Sequence, residues 1–152
     1  MPQDANPQFA ESIRASFARQ NAMHLVRASL PLVEHGRTEI HVPHWEGIEQ
    51  QHGFVHGGVV GMIADTAAGY AAMSMVPAAA SVLTVEYKMN LMAPADGEKL
   101  VARGEVVRPG RTLIVTKAEV FAVKDGKKTL CALMQQTIMA LHGKKEKTNE
   151  TK

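Results

Sequence analysis

The chain reads as an α+β domain in which one antiparallel sheet of about six strands wraps around a single long apolar helix, with a further helix at the N-terminus. Three observations predict this. Residues 57–76 form a run that is apolar on nearly every side, and a helix apolar all round is buried all round. Two strand-like segments precede that run and four follow it, joined by short turns. No strand–helix–strand alternation occurs, which excludes a doubly wound parallel sheet.

At 152 residues the chain is one domain with room for a real core. Aromatic residues are 5% of the chain against 45% apolar overall, so that core is aliphatic and rich in Met. The tail after His142 holds four Lys and two Glu; the remaining 13 basic and 13 acidic residues balance. A neutral body argues against a nucleic-acid surface. Cys131 is the single cysteine, so no intrachain disulfide is possible, and no His/Cys cluster has zinc spacing. The first residues lack a basic stretch followed by an apolar one, so the expectation is a cytoplasmic protein. The apolar run has the length of a membrane span. It carries Asp65 and four Gly and has no basic flanks, and a central Asp alone costs about 2.5–3.5 kcal/mol on insertion. A membrane span is therefore not expected.

Taken in order, Asn6 and Pro7 suit the N-cap and first turn of a helix running to about Gln20, with Phe9, Ile13, Ala15 and Phe17 making its apolar contacts. Residues 24–33 and 37–42 read as two strands joined at Glu34-His35-Gly36; Thr38, Ile40 and Val42 share one face of the second. Residues 43–55 form a polar loop containing His44, Trp45, Gln50, Gln51, His52 and Gly53, and loops on a rigid scaffold carry chemistry. The apolar helix follows and Pro77 closes it. In the strand at 80–92, Leu83, Val85, Tyr87, Met89 and Leu91 should face the helix, and Thr84, Glu86, Lys88 and Asn90 should face water. Strands at 99–108, 111–123 and 129–141 come next, with turns at Pro94–Gly97, Pro109-Gly110 and Lys124–Lys127; Asp125-Gly126 suits positive φ. The expected organisation is an N-terminal helical segment (1–22), the sheet-and-helix domain (23–142) and a disordered Lys-rich tail (143–152).

Asp65 is the anomaly. It sits inside the apolar run with no Lys or Arg between His56 and Val76. An unpaired carboxylate in a dry interior is costly and is rarely kept for packing. Asp65 is either a functional group or a helix acid hydrogen-bonded to a neighbouring element.

The order Gln50-x-x-Gly53-x-x-His56-Gly57-Gly58, with Asp65 seven residues after Gly58 and fifteen after Gln50, resembles the loop and central helix of the hotdog-fold acyl-CoA thioesterases of the PaaI-like type. Met89-Asn90-x-x-x-Pro94-Ala95 is similar to the family's long strand and following turn, and Pro109-Gly110-Arg111-Thr112 to its next hairpin. The resemblance covers roughly residues 20–141; each motif is weak alone, and together, in this order, they are strong. It implies a hotdog fold and hydrolysis of an acyl- or aryl-CoA thioester to the acid and free coenzyme A. No metal or cofactor is implied, coenzyme A being part of the substrate. It also implies a homodimer with the active site at the interface, and a homotetramer as a dimer of dimers.

The resemblance implies roles residue by residue. Asp65 would attack the thioester carbonyl itself or deprotonate the attacking water. The Gly57 N–H at the helix start would polarise the carbonyl oxygen, and Gly58 would let substrate approach the backbone. The two glycines would equally serve as a tight entry turn. Gln50, with Gln51 the neighbouring alternative, would hydrogen-bond the thioester or orient water. His56 would be a base or, as more often for a lone His beside glycines, a fixing residue. Thr84 would support the attacking water or simply be a strand residue. Arg108 and Arg111, flanking Pro109-Gly110, and Lys88 would meet the phosphates of coenzyme A or stand in solvent; Gly110 belongs to the same turn. The pantetheine arm would lie in a slot lined by Met and Ala. The alternative of another class is a non-enzymatic acyl-CoA-binding or sensing module. A hotdog dehydratase suits the pattern poorly. The acyl group stays open at this level.

Overall fold

The computed structural model describes residues 6–144 and Glu146. The elements in chain order are α1 (Phe9–Arg19), α2 (Asn21–Leu25), β1 (Ser29–Glu34), β2 (Arg37–Pro43), a 3-10 turn (Glu46–Ile48), α3 (Gly57–Met73), β3 (Ser81–Leu91), β4 (Lys99–Arg108), β5 (Leu113–Lys124) and β6 (Lys127–Leu141). All six strands form one antiparallel sheet in the order β1-β2-β4-β5-β6-β3, and α3 packs against it. The expected α+β architecture is the observed one: a hotdog fold, with α3 as its filling. No helix among the described residues is long and apolar enough to cross a membrane. The N-terminal segment expected over 1–22 and the tail expected over 143–152 include residues 1–5, 145 and 147–152, which lie outside the described residues.

The helix lies on the sheet because small residues let it. Ala64, Ala67, Ala68, Ala71 and Ala72 are all fully buried. At the closest point a Cβ on Gly104 would stand 2.3 Å from the backbone carbon of Ala67, so only glycine fits beneath the helix there. Gly104 on β4 pairs in register with Thr38 on β2. The Thr38 hydroxyl, itself fully buried, donates to the Ala67 carbonyl at 2.6 Å. Around this point Ile40, Val42, Leu100, Ala102, Val120, Ala132 and Met134 close the core from the sheet, and Ile13 and Met23 close it from the N-terminal helices.

Several boundaries differ from the sequence reading, each for a local reason. Residues 24–33 are not one strand: the segment starts as α2 and bends at Arg27, whose φ is 58°. Met23 and Val26 are buried at helical spacing while Leu25 is 72% exposed. Asn6 does not cap α1 directly. Its Oδ1 accepts the Gln8 N–H at 2.9 Å in a local turn, and the helix opens at Phe9. The central helix ends at Met73 rather than at residue 76, because the buried Ser74 turns the chain. Its hydroxyl donates to the Ala71 carbonyl at 2.6 Å and accepts the Gly36 N–H at 2.7 Å. The β5–β6 turn is as expected, with Asp125 and Gly126 at φ 50° and 73°.

Two corrections bear on the site. α3 is not buried all round. Gly58, Met62, Asp65, Thr66, Gly69 and Met73 are only partly buried or exposed and fall on one side at three- to four-residue spacing. A single six-stranded sheet covers the rest of the helix and stops at β3. The strand β3 also does not keep one phase. A β-bulge lies between Thr84 and Glu86, so Val85 is an extra residue. Before it, Thr84 pairs with the buried Ile138 and faces the helix; after it, Tyr87 pairs with the buried Gln136, and Tyr87 and Met89 lie against Gly61. Leu83 and Val85, expected to face the helix, are 57% and 47% exposed.

Replacing Gly104 with Ala should destabilise the protein by about 3 kcal/mol, the upper range for overpacking a core. Chemical denaturation of Gly104→Ala against the parent checks it; a loss under about 1 kcal/mol would mean the helix can lift off the sheet cheaply.

Candidate active site

Asp65 lies on the open side of α3, eight residues past the helix start. The bulge in β3 turns Thr84 inward, and its hydroxyl donates to Asp65 Oδ1 at 2.7 Å. Gln136, from the inward register of β6, also donates its Nε2 to Asp65 Oδ1, and to Thr84 Oγ1 at 2.9 Å. Among the described residues, Asp65 Oδ2 has no hydrogen-bond partner. The carboxylate thus has one oxygen held by two donors and one left free. It lines a cavity of about 390 Å³ together with Gln20, Thr66, Gly69, Tyr70 and Thr84. The Tyr70 hydroxyl is within 3.1 Å of Ser16 Oγ, and burial pushes its phenol above the ordinary 10.

The helix start is a separate place. The loop before it is held by backbone bonds from Gln50 N–H to the Phe54 carbonyl (2.8 Å), Val55 N–H to Ala95 (3.1 Å) and His56 N–H to Ile48 (2.9 Å). His56 is the N-cap of α3, its Nδ1 accepting the Gly58 N–H at 2.8 Å. The Val59 and Val60 amides go to the His56 carbonyl. Of the first four helix amides, Gly57 N–H alone has no acceptor among the described residues, at the positive end of the helix. Gln50 accepts the His52 N–H through Oε1, which leaves its NH₂ end unengaged. Gln50 and Gly57 line a second cavity of about 380 Å³ with Val60, Leu91, Met92 and Cys131. The Cys131 thiol is buried, donates to the Val120 carbonyl, and is pushed up by that burial, so it is not a poised nucleophile.

The residues singled out in the sequence therefore fall into groups. Asp65 and Thr84 meet. Gly57 and Gln50 line one cavity elsewhere, and Gly57 lies about 12 Å from Asp65 along the helix axis. His56 points back to cap the helix, and Gly58 spends its N–H on that cap. Lys88 is exposed on β3, with Nζ 3.1 Å from Asn90 Oδ1. Gly110 and Arg111 line a third cavity of about 480 Å³ with Met75, Val76, Pro77 and His142, and Arg108 is exposed at the end of β4. Gln136 and Thr116, whose hydroxyl donates to Gln136 Oε1 at 3.0 Å, were not singled out. The signal was present: a Gln in step with Ala132, Met134, Ile138 and Ala140 on one strand face is a polar residue at a core position. Among the described residues no group of three His, Cys, Asp or Glu is placed to hold a metal.

A six-stranded antiparallel sheet wrapped on one long helix is the hotdog fold. The chain belongs to the Thioesterase superfamily, which it matches over residues 52–129. A crystal structure of a thioesterase family protein from Silicibacter pomeroyi is 45% identical, covers 89% of this chain and 99% of its own, and superposes with a TM-score of 0.87. The PaaI protein of the phenylacetic acid degradation operon of E. coli shares the fold at 17% identity, with a TM-score of 0.79 over 90% of this chain and 95% of its own. A protein of Saccharolobus solfataricus provisionally named an esterase is 34% identical over 95 residues, 62% of this chain and 66% of its own length. The chain thus spans about two thirds of that curated relative.

Exchanging His56 for Ala should cost about 1 kcal/mol of stability through loss of the N-cap, and His56→Asn, a strong cap in its own right, should recover most of it. Thermal melts of the two variants check this; equal losses would mean that the imidazole does more than cap.

Proposed function

We propose that the protein hydrolyses an acyl- or aryl-CoA thioester to the free acid and coenzyme A, with Asp65 as its reacting carboxylate. The observation that carries this is the asymmetry at Asp65, a residue that lines a cavity: Oδ1 holds two donated hydrogen bonds, and Oδ2 has no partner among the described residues. Such a carboxylate attacks the carbonyl carbon, or takes the proton of a water that does. Either way a tetrahedral oxyanion forms, the C–S bond breaks, and the thiolate of coenzyme A leaves and is protonated. The free Gly57 amide is the matching oxyanion donor, and Gln50, which lines the same cavity, would turn its NH₂ end to hold carbonyl or water.

Those groups are too far apart within one chain, so the proposed unit is a homodimer. β3 is an edge strand of the sheet, and Leu83, Val85, Tyr87 and Leu91 are exposed along it. Pairing of two β3 edges would cover that apolar strip and the open side of α3, and would set the helix start of one protomer against Asp65 of the other. Arg108, Gly110 and Arg111, with Lys88, are the proposed contacts for the nucleotide end of coenzyme A.

A thiol-reactive dye reading coenzyme A release from a panel of acyl-CoAs tests the reading. Asp65→Ala should lower turnover by roughly 10²- to 10⁴-fold. Substrate-independent silence of the parent protein, with tight acyl-CoA binding retained, would make it a binding module instead. Gly57→Pro removes the amide hydrogen while suiting the first helical position. Mixed with Asp65→Ala, it should regain activity in heterodimers, where one of the two sites is intact. Proven heterodimers without rescue would place the site within one chain.

A further inference from the structure

Among the described residues, Gln136 is the one large polar side chain the fold has taken fully inside, at 1% exposure. It follows Met134 and precedes Ile138 on the inward face of β6, both of them apolar and buried. A buried amide costs free energy unless its hydrogen bonds are made, and a Met or Leu would fill the position without that cost. Its bonds are made. One Nε2 hydrogen goes to Asp65 Oδ1, the other to Thr84 Oγ1 at 2.9 Å, and Oε1 accepts the Thr116 hydroxyl at 3.0 Å. Three neighbouring strands, β5, β6 and β3, each supply one polar residue to a chain of hydrogen bonds that ends, through Gln136 and Thr84, on a single carboxylate on the helix above.

The direction of the amide follows from chemistry. An ionised carboxylate only accepts, so Gln136 must turn nitrogen, not oxygen, toward Asp65. Thr116, fully buried on β5, donates to Oε1 and so keeps that oxygen on the far side. A flipped amide would set oxygen against oxygen.

We propose that Gln136, locked by Thr116, is a positioning residue of the site: it fixes the plane of the Asp65 carboxylate and occupies Oδ1, so that Oδ2 is the oxygen that reacts. With Thr84 on the same oxygen, rotation of the carboxylate breaks two hydrogen bonds at once. Gln136 is walled off from the cavity, so it acts on the chemical step and not on substrate binding. The inference rests on the reading of Asp65 as the reacting group.

The decisive pair is at Thr116, which touches neither substrate nor Asp65. Thr116→Val keeps the shape and removes the donor; Thr116→Ser keeps the donor and removes a buried methyl. In the coenzyme A release assay Thr116→Val should lower kcat about 10- to 100-fold, the cost of misplacing a reacting group by around an ångström. KM should stay within about twofold, the signature of an interaction felt in the transition state alone. Thr116→Ser should keep kcat within about twofold of the parent while melting at a lower temperature. A packing role predicts the reverse order, Ser worse than Val. Gln136→Met should lose at least as much kcat as Thr116→Val; if it does not fold, the Thr116 pair decides. Parent-like kcat in Thr116→Val, or equal loss in both Thr116 variants, overturns the inference. Failure of the underlying reading looks different: Asp65→Ala would then turn over at the parent rate.

Discussion

Everything in this fold is measured from one contact, the seating of α3 on the sheet at Ala67. The absent side chain of Gly104 and the hydroxyl of Thr38, opposite each other on adjacent strands, set the height and the axial position of the helix. Close-packed interiors transmit such constraints with little slack. Asp65 lies half a turn before Ala67, and its distances to Thr84 and Gln136 are the hydrogen-bonding distances of a seated helix. A helix raised by an ångström would lose both donors. The hydrogen bonds to Asp65 on one side of α3 are therefore held by the packing on the other.

Much of this was legible in the sequence. The helix announced itself through its uninterrupted apolar run, the strands through alternation, and the turns through Pro-Gly and Asp-Gly. Asp65 stands out because a lone acid in that run needs either a chemical task or hydrogen-bond donors from a neighbouring element. The errors share one cause: they depend on what lies beside a segment, not on its own pattern. The α2 segment looked like strand because His24–Val33 is apolar-rich, and only the burial of Met23 and Val26 reveals its helical side. The open side of α3 is marked in the sequence only by Asp65 and Thr66, since the other residues on it, Met62, Gly69 and Met73, are as apolar as those beneath the sheet.

The site was legible as a list of residues and not as a place. Asp65 and Thr84 do meet, but the meeting depends on a bulge that alternation cannot register. Gln136 was visible in principle as a polar residue in step with core positions. A carboxamide within the uncharged stretch 129–141 raises no electrostatic alarm. His56 is the opposite case: the residue type suggested chemistry, and the hydrogen bond from Gly58 gives it a capping task.

The extra residue in β3 has one more consequence. Val85 rephases only the half of the strand that follows it. Thr84, before it, answers to the carboxylate; Tyr87 and Met89, after it, answer to the glycine-lined start of the helix. Substitutions can therefore accumulate on one half without disturbing the register of the other. A single strand is split into two separately evolvable parts, and descendants of this chain can change the far half of β3 while the hydroxyl next to Asp65 stays where it is.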